Sequence, residues 1–287
     1  MKIFGATIGA LGFLFLFGGV LAQIVYHARV LIEVLGYIAS VALIGAGYWV
    51  GPEYLTWTVF FGCILFAGTV FATLWIHEIK GDDPKPLAAL FMVVWGAVAV
   101  YYSMTEVGFL AIMALMTVLG FSIVVTQLTY SFGFEKESMI PQATMTALIL
   151  LAAFVVIHIW VPNAPAALAV FKPGAFWVAS FVSFTGLLIM ASRYYSKESQ
   201  YFMMQIVTVI VYAAALSIAL IANINPLAGM AGTFLVFYLA EKLTDVPVEG
   251  AVGMGVRLIL IGGLLYGAWW YASSHGDMVQ QFLTAQL

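Results

Sequence analysis

Long apolar runs alternate with short polar breaks along the whole chain. A helix needs about 20 mostly apolar residues to cross the hydrocarbon core of a bilayer. By that measure the pattern predicts ten spans, at roughly 4–25, 30–50, 55–77, 86–104, 107–131, 139–161, 173–194, 200–222, 226–241 and 250–272. The runs lack the alternation of a barrel strand, and in lipid the backbone must satisfy its hydrogen bonds within the segment, so the expected fold is an all-α polytopic bundle. Residues 1–272 form one transmembrane domain in this reading, followed by a short external tail over 273–287.

The breaks are of two kinds. Those after even-numbered spans are short or weakly charged, such as Gly51-Pro52-Glu53, Ser103-Met104-Thr105-Glu106 and Asn223-Ile224-Asn225-Pro226. Those after odd-numbered spans hold Arg29, Lys80, Lys85, Lys136, Arg193, Lys197 and Lys242, seven of the ten lysines and arginines. Short loops rich in Lys and Arg stay cytoplasmic, so both termini are expected outside, in a bacterial-type inner membrane. Trp49, Trp57, Trp160, Trp269 and Trp270 fall near the expected outer ends, where an aromatic belt belongs. The charged loops divide the chain into successive helical pairs, and short stretches recur within them. Glu135-Lys136 and Glu241-Lys242 are each followed at the same spacing by Ser or Thr and then by Ile-Pro or Val-Pro. The plainer account is that cytoplasmic loops draw on a small polar vocabulary; as true repeats, the pairs would share one orientation, the parallel kind of internal symmetry.

Composition adds the solvent. With 64% hydrophobic and 8% charged residues and a mean hydropathy of +1.08, the chain lies far outside globular usage. A net charge of −3 without a basic tract argues against a nucleic-acid partner. The single cysteine, Cys63, lies in an apolar run and reads as a small hydrophobe, with neither a disulfide framework nor a thiolate metal cluster available to one chain. Lys2, the apolar stretch Ile3–Gly19 and Val20-Leu21-Ala22 resemble a signal peptide. The run from Phe4 to Val25 is nonetheless long enough to span, and retention is the preferred reading.

Candidate chemistry is sparse. Charges inside a membrane are costly and default to function. Glu33, one turn after Arg29, and Arg257, two turns into the last span, form a candidate buried pair on the inner side, with separate snorkelling as the plainer account. No HxxxH, HExxH or ExxH spacing accompanies His27, His77 or His158, and no nucleophile–base pair, phosphate loop or deep lysine is recognisable, so no catalytic residue, metal or cofactor is assigned. Neutral polar side chains inside the spans, foremost Thr126, Gln127, Gln205 and Thr208, are candidates to line a solute path, though ordinary interhelical hydrogen bonding uses the same residues.

Three functions remain in play. The first is a transporter or channel-like facilitator for a small neutral or weakly anionic solute, since the spans hold no deep carboxylate for proton coupling. The second is a non-catalytic subunit or scaffold of a larger envelope, secretion or respiratory complex, whose partners are lipid and other chains or further copies of itself. The third, a lipid-modifying enzyme, has only Glu78, Asp82 and Asp83 to draw on.

Overall fold

The computed structural model describes residues 29–49, 51–78, 83–125, 130–134, 136–161, 164–195 and 198–245, with single helical positions between 253 and 267. The expected first span and the tail 273–287 lie outside the described residues. The described chain is overwhelmingly helical. Five stretches are long and apolar enough to cross a membrane: Tyr54–Ile76, Lys85–Tyr102, Glu137–Trp160, Ala166–Met190 and Gln200–Ile221. The protein is an all-α, membrane-type bundle, and it divides into two compact units, Met1–Asp83 and Pro84–Leu287.

The first unit is an antiparallel pair, α1 (Arg29–Ala46) and α2 (Pro52–Ile76). Small residues let the two backbones approach, which is how helices associate where lipid removes the hydrophobic drive. Gly36 lies against Thr69, Gly47 against Val59 and Gly62 against Ile44; a Cβ at any of the three would collide. Ser40, Val59 and Cys63 are fully buried between them.

The second unit begins with α3 (Lys85–Tyr102) and α4 (Thr105–Val118). It continues through α5 (Ile140–Trp160), the short turns α6 (Ala166–Ala169) and α7 (Lys172–Gly174), a π-helical segment Ala175–Ala179, and α8 (Ser180–Met190). It ends with α9 (Glu198–Ile221) and α10 (Asn225–Asp245). Pro52, Pro86, Pro141 and Pro173 each occupy the first or second position of a helix. There the missing N–H is an orphan anyway, so these prolines start helices and do not break them.

Two turns share one design. After α3, Ser103 takes a left-handed φ of 56°, and after α9, Asn223 takes 54°. The next N–H reaches back to close the turn, Met104 N to Ala99 O at 2.9 Å and Ile224 N to Ala219 O at 2.8 Å. This is the long bond of a Schellman cap. Met104 and Ile224 are both buried, and one turn further on Val107 and Leu227, then Ala111 and Ala231, are buried in step. The pairs α3–α4 and α9–α10 therefore carry the same turn and the same buried stripe.

The fifth expected span, 107–131, is not one helix. Helix α4 has 14 residues, about 21 Å of rise and short of a core of about 30 Å. Gly120 follows with a φ of 92°. The chain then forms an antiparallel hairpin, β1 (Phe121–Val125) with β2 (Tyr130–Phe134), in register from Phe121↔Phe134 to Val125↔Tyr130. Its residues are mostly β-branched or aromatic, types that favour a pleated backbone. A hydropathy window counts them as readily as helical ones, which is why the sequence reading merged them into a span. The root of the hairpin belongs to the core, with the Phe121 ring 5.3 Å from Phe134 and 6.0 Å from Phe181.

Aromatic rings fill the centre of this unit. Phe184 meets Tyr212 at 5.2 Å and Phe234 at 5.8 Å, joining α8, α9 and α10 edge to face. Close approach again falls on single glycines. A Cβ on Gly108 would overlap the Val170 carbonyl, and one on Gly186 would overlap Thr144 Oγ1. Gly229 and Gly232, by contrast, have open space around them. Gly108→Ala is expected to destabilise by about 1–3 kcal/mol, because the overlap is with backbone. Gly229→Ala should be neutral or stabilising by up to about 1 kcal/mol. Melting of the detergent-extracted protein followed by tryptophan fluorescence checks both.

Candidate functional site

A pocket of about 620 Å³ opens where α5 and α9 begin and α8 ends. Its polar wall is Glu137, Ser138, Tyr195 and Gln200, and its apolar wall Pro141, Met190 and Met204. Each group is placed by a local feature of the chain. A single 3₁₀ turn, Glu137–Met139, precedes α5 and turns Glu137 and Ser138 toward water. Helix α8 stops at Met190, and the following turn brings Tyr195 back so that its hydroxyl donates to the Glu137 carbonyl at 3.1 Å. Gln200 and Met204 lie one turn apart on the same face of α9.

One turn above the walls of the pocket, Gly186 packs on Thr144, and Thr208 is fully buried with its hydroxyl 3.4 Å from Leu187 O. Gln200, Met204 and Thr208 follow one another at intervals of four along α9, so a single helix face leads from the mouth of the pocket to this closed point.

Beside it runs a hydrogen-bonded network around the end of α8. Ala191 O has no partner further along its own helix, as the last carbonyls of any helix do. Gln205 Nε2 donates to it, and Lys242 Nζ reaches it at 3.0 Å. The Gln205 carbonyl in turn accepts the Tyr238 hydroxyl. Lys242 also lies 3.4 Å from Tyr201 Oη, 3.5 Å from Glu241 Oε2, and over the rings of Tyr201 and Tyr238 at 5.2 and 5.4 Å. A cation at a helix C-terminus meets the negative end of the dipole, and the two rings offer it their faces. Higher up, Tyr212 donates to Phe184 O at 2.7 Å. On the opposite flank, His158 Nε2 stands 3.3 Å from Ala222 O at the end of α9; since a carbonyl only accepts, Nε2 carries the hydrogen there.

The residues singled out from sequence divide as follows. Gln205 and Thr208 are brought together on α9 against the end of α8. Thr126, Gln127 and Arg257 lie outside the described residues. Glu33 pairs within its own unit, with His77 Nε2 2.9 Å from Oε1 and 3.2 Å from Oε2, the glutamate 13% and the histidine 48% exposed. The Tyr37 and Thr73 hydroxyls, 3.2 Å apart, continue the same seam between α1 and α2. The sequence reading passed over Glu137, Tyr195, Tyr201, Gln200, Tyr238 and Lys242 as members of a site. One signal was present: Tyr201, Gln205, Thr208 and Tyr212 fall on one stripe of a helix, which marks a polar seam once tyrosine is counted as polar. Among the described residues, no three of His, Cys, Asp and Glu come close enough to hold a metal ion.

In comparison with known proteins, no family model, no curated sequence and no solved structure matches this chain.

Two outcomes are expected from these contacts. Lys242→Met removes one of the two donors to Ala191 O and should destabilise by about 1–3 kcal/mol in a detergent melt. A double-mutant cycle on Glu33 and His77, with glutamine at each, should give a coupling of about 0.5–1 kcal/mol, because the histidine is half exposed and solvent screens the pair.

Proposed function

We propose that the protein is a multi-pass protein of a bacterial-type inner membrane that lets a small solute cross through its helix bundle. In this reading the chain crosses ten times, the fifth time through α4 and the hairpin together, as four tandem pairs flanked by single spans, with both termini outside and the pocket facing the cytoplasm. The observation that carries it is the pocket itself: about 620 Å³, with a mixed polar and apolar lining, at the helix ends that bear the charged loops. That volume falls in the range of small-molecule sites. The line of Gln200, Met204 and Thr208 gives a route inward, and the Gly186–Thr144 approach closes it in the conformation described. Of the solute classes expected from sequence, the weakly anionic one is disfavoured, because among the described residues of the lining the charged group is the acidic Glu137.

A second reading, a non-catalytic subunit of a larger membrane assembly or of a homo-oligomer, draws on α1. Its exposed residues Val30, Leu31, Val34, Leu35, Ile38 and Val41 form a broad apolar face, wide enough for protein as well as lipid.

Cysteine accessibility separates the two without knowledge of the substrate. In a Cys63→Ala background, Met204→Cys should react with a membrane-impermeant thiol reagent from the cytoplasmic side, in inside-out vesicles. For a transporter, Thr208→Cys, buried in the conformation described, should react from that side more slowly, as the bundle opens. A static subunit would leave Thr208→Cys inert from both sides, and reaction from the outside alone would reverse the orientation.

A further inference from the structure

We infer that the pocket is a site for a small amphipathic amine, held by its ammonium group on Glu137 and by its apolar body on Pro141, Met190 and Met204. This deepens the transport reading and rests on it for the pocket's role as the first station of a permeating solute.

The argument is one of donors and acceptors. Glu137 brings a carboxylate, which accepts only. Tyr195 brings a hydroxyl whose hydrogen is already committed to the Glu137 backbone carbonyl, so the oxygen offers the pocket lone pairs alone. Ser138 and Gln200 can serve either way and adapt to a donor. A ligand matching this wall supplies hydrogens, and an ammonium supplies three with a charge opposite to that of the carboxylate. The other wall carries a proline ring and two methionine side chains, flexible and polarisable surfaces that accept a small hydrocarbon or aromatic body.

Among the described residues, neighbouring cations do not reverse the preference. Lys136 and Arg193 flank the pocket in sequence and are exposed, but neither lines it, and water and salt screen charges held outside it. Lys85 Nζ lies 3.9 Å from Met139 Sδ, and Lys242 sits in its own cage of tyrosines. Two helix N-termini reach the pocket and by themselves would favour an anion. One is preceded by a 3₁₀ turn that starts at Glu137, an acidic residue that complements the dipole at that opening.

The test is a charge series on the full-length protein in detergent micelles free of aminolipid. Phenethylamine, 2-phenylethanol and phenylacetate have closely similar bodies and differ in the head. Binding by titration calorimetry is expected to be tightest for phenethylamine, weaker by about tenfold for the alcohol, and weakest for the carboxylate. Glu137→Gln should bring phenethylamine to the level of the alcohol, whereas Glu106→Gln, at the start of α4, should leave it unchanged. Phenylacetate binding as tightly as the amine, no binding by any of the three, or a Glu137→Gln protein that still prefers the amine would overturn the proposal. The series on the unmodified protein decides the matter even if the variant does not fold. Failure here is distinct from failure of the transport reading. An amine site with Thr208→Cys inert removes transport alone, and a reactive Thr208→Cys with phenylacetate preferred removes the amine alone. Repeating the titration in nanodiscs of phosphatidylglycerol, with and without phosphatidylethanolamine, identifies the source of the amine. Competition by the aminolipid assigns the site to a lipid headgroup, and indifference assigns it to a free solute.

Discussion

Where α8 ends, its last carbonyl must find a hydrogen-bond donor, and the donors come from the side chains of α9 and α10. Ala191 O takes both the Gln205 amide and the Lys242 ammonium, and the Tyr212 and Thr208 hydroxyls add bonds to Phe184 O and Leu187 O below it. Ala191 is fully buried, so solvent cannot reach its carbonyl and the helix end must be closed by protein. The consequence reaches beyond one helix end. Fixing α9 and α10 on α8 leaves Gln200 and Met204 on the adjoining face of α9, beside the end of α8 and the start of α5, and the pocket is the space that remains.

The stretch before α8 is irregular: past the Lys172–Gly174 turn the chain passes through a π-helical segment at Ala175–Ala179 before regular geometry returns. Ser180 repairs the ladder by donating to Phe176 O, with Trp177 O at 3.1 Å, and Ser183 donates to Ser180 O at 3.1 Å. These serines look like path-lining residues in the sequence, yet they are buried and turned onto their own helix. Gly108 and Gly174 then let α4 lie directly on this stretch, against Val170 and between Phe109 and Ile112.

The shared turns after α3 and α9 bear on how the bundle is organised. Ser103 and Asn223 close helical pairs with the same hydrogen bond and the same buried positions, although the residues around them have little in common. The recurring loop stretches noticed in the sequence lie elsewhere, at the charged breaks. Backbone geometry and burial therefore relate the two pairs more clearly than residue identity does, since a Schellman turn needs only a residue tolerant of left-handed φ and an apolar residue after it.

The sequence by itself determined that the chain lives in a membrane, that it is helical, and where most of its helices begin and end. Each of these follows from local quantities: apolar length, proline position, and the placement of polar breaks. Tertiary structure decided the rest. Over 107–131 the window for a span was satisfied by a short helix and a hairpin together, because hydropathy is blind to whether an apolar residue is coiled or extended. Which glycines lie at close approach, that Glu33 meets His77, and that Glu137, Tyr195 and Gln200 share a pocket depend on which helix faces meet. That choice is set by the packing of residues far apart in the chain, and no local pattern in the sequence records it.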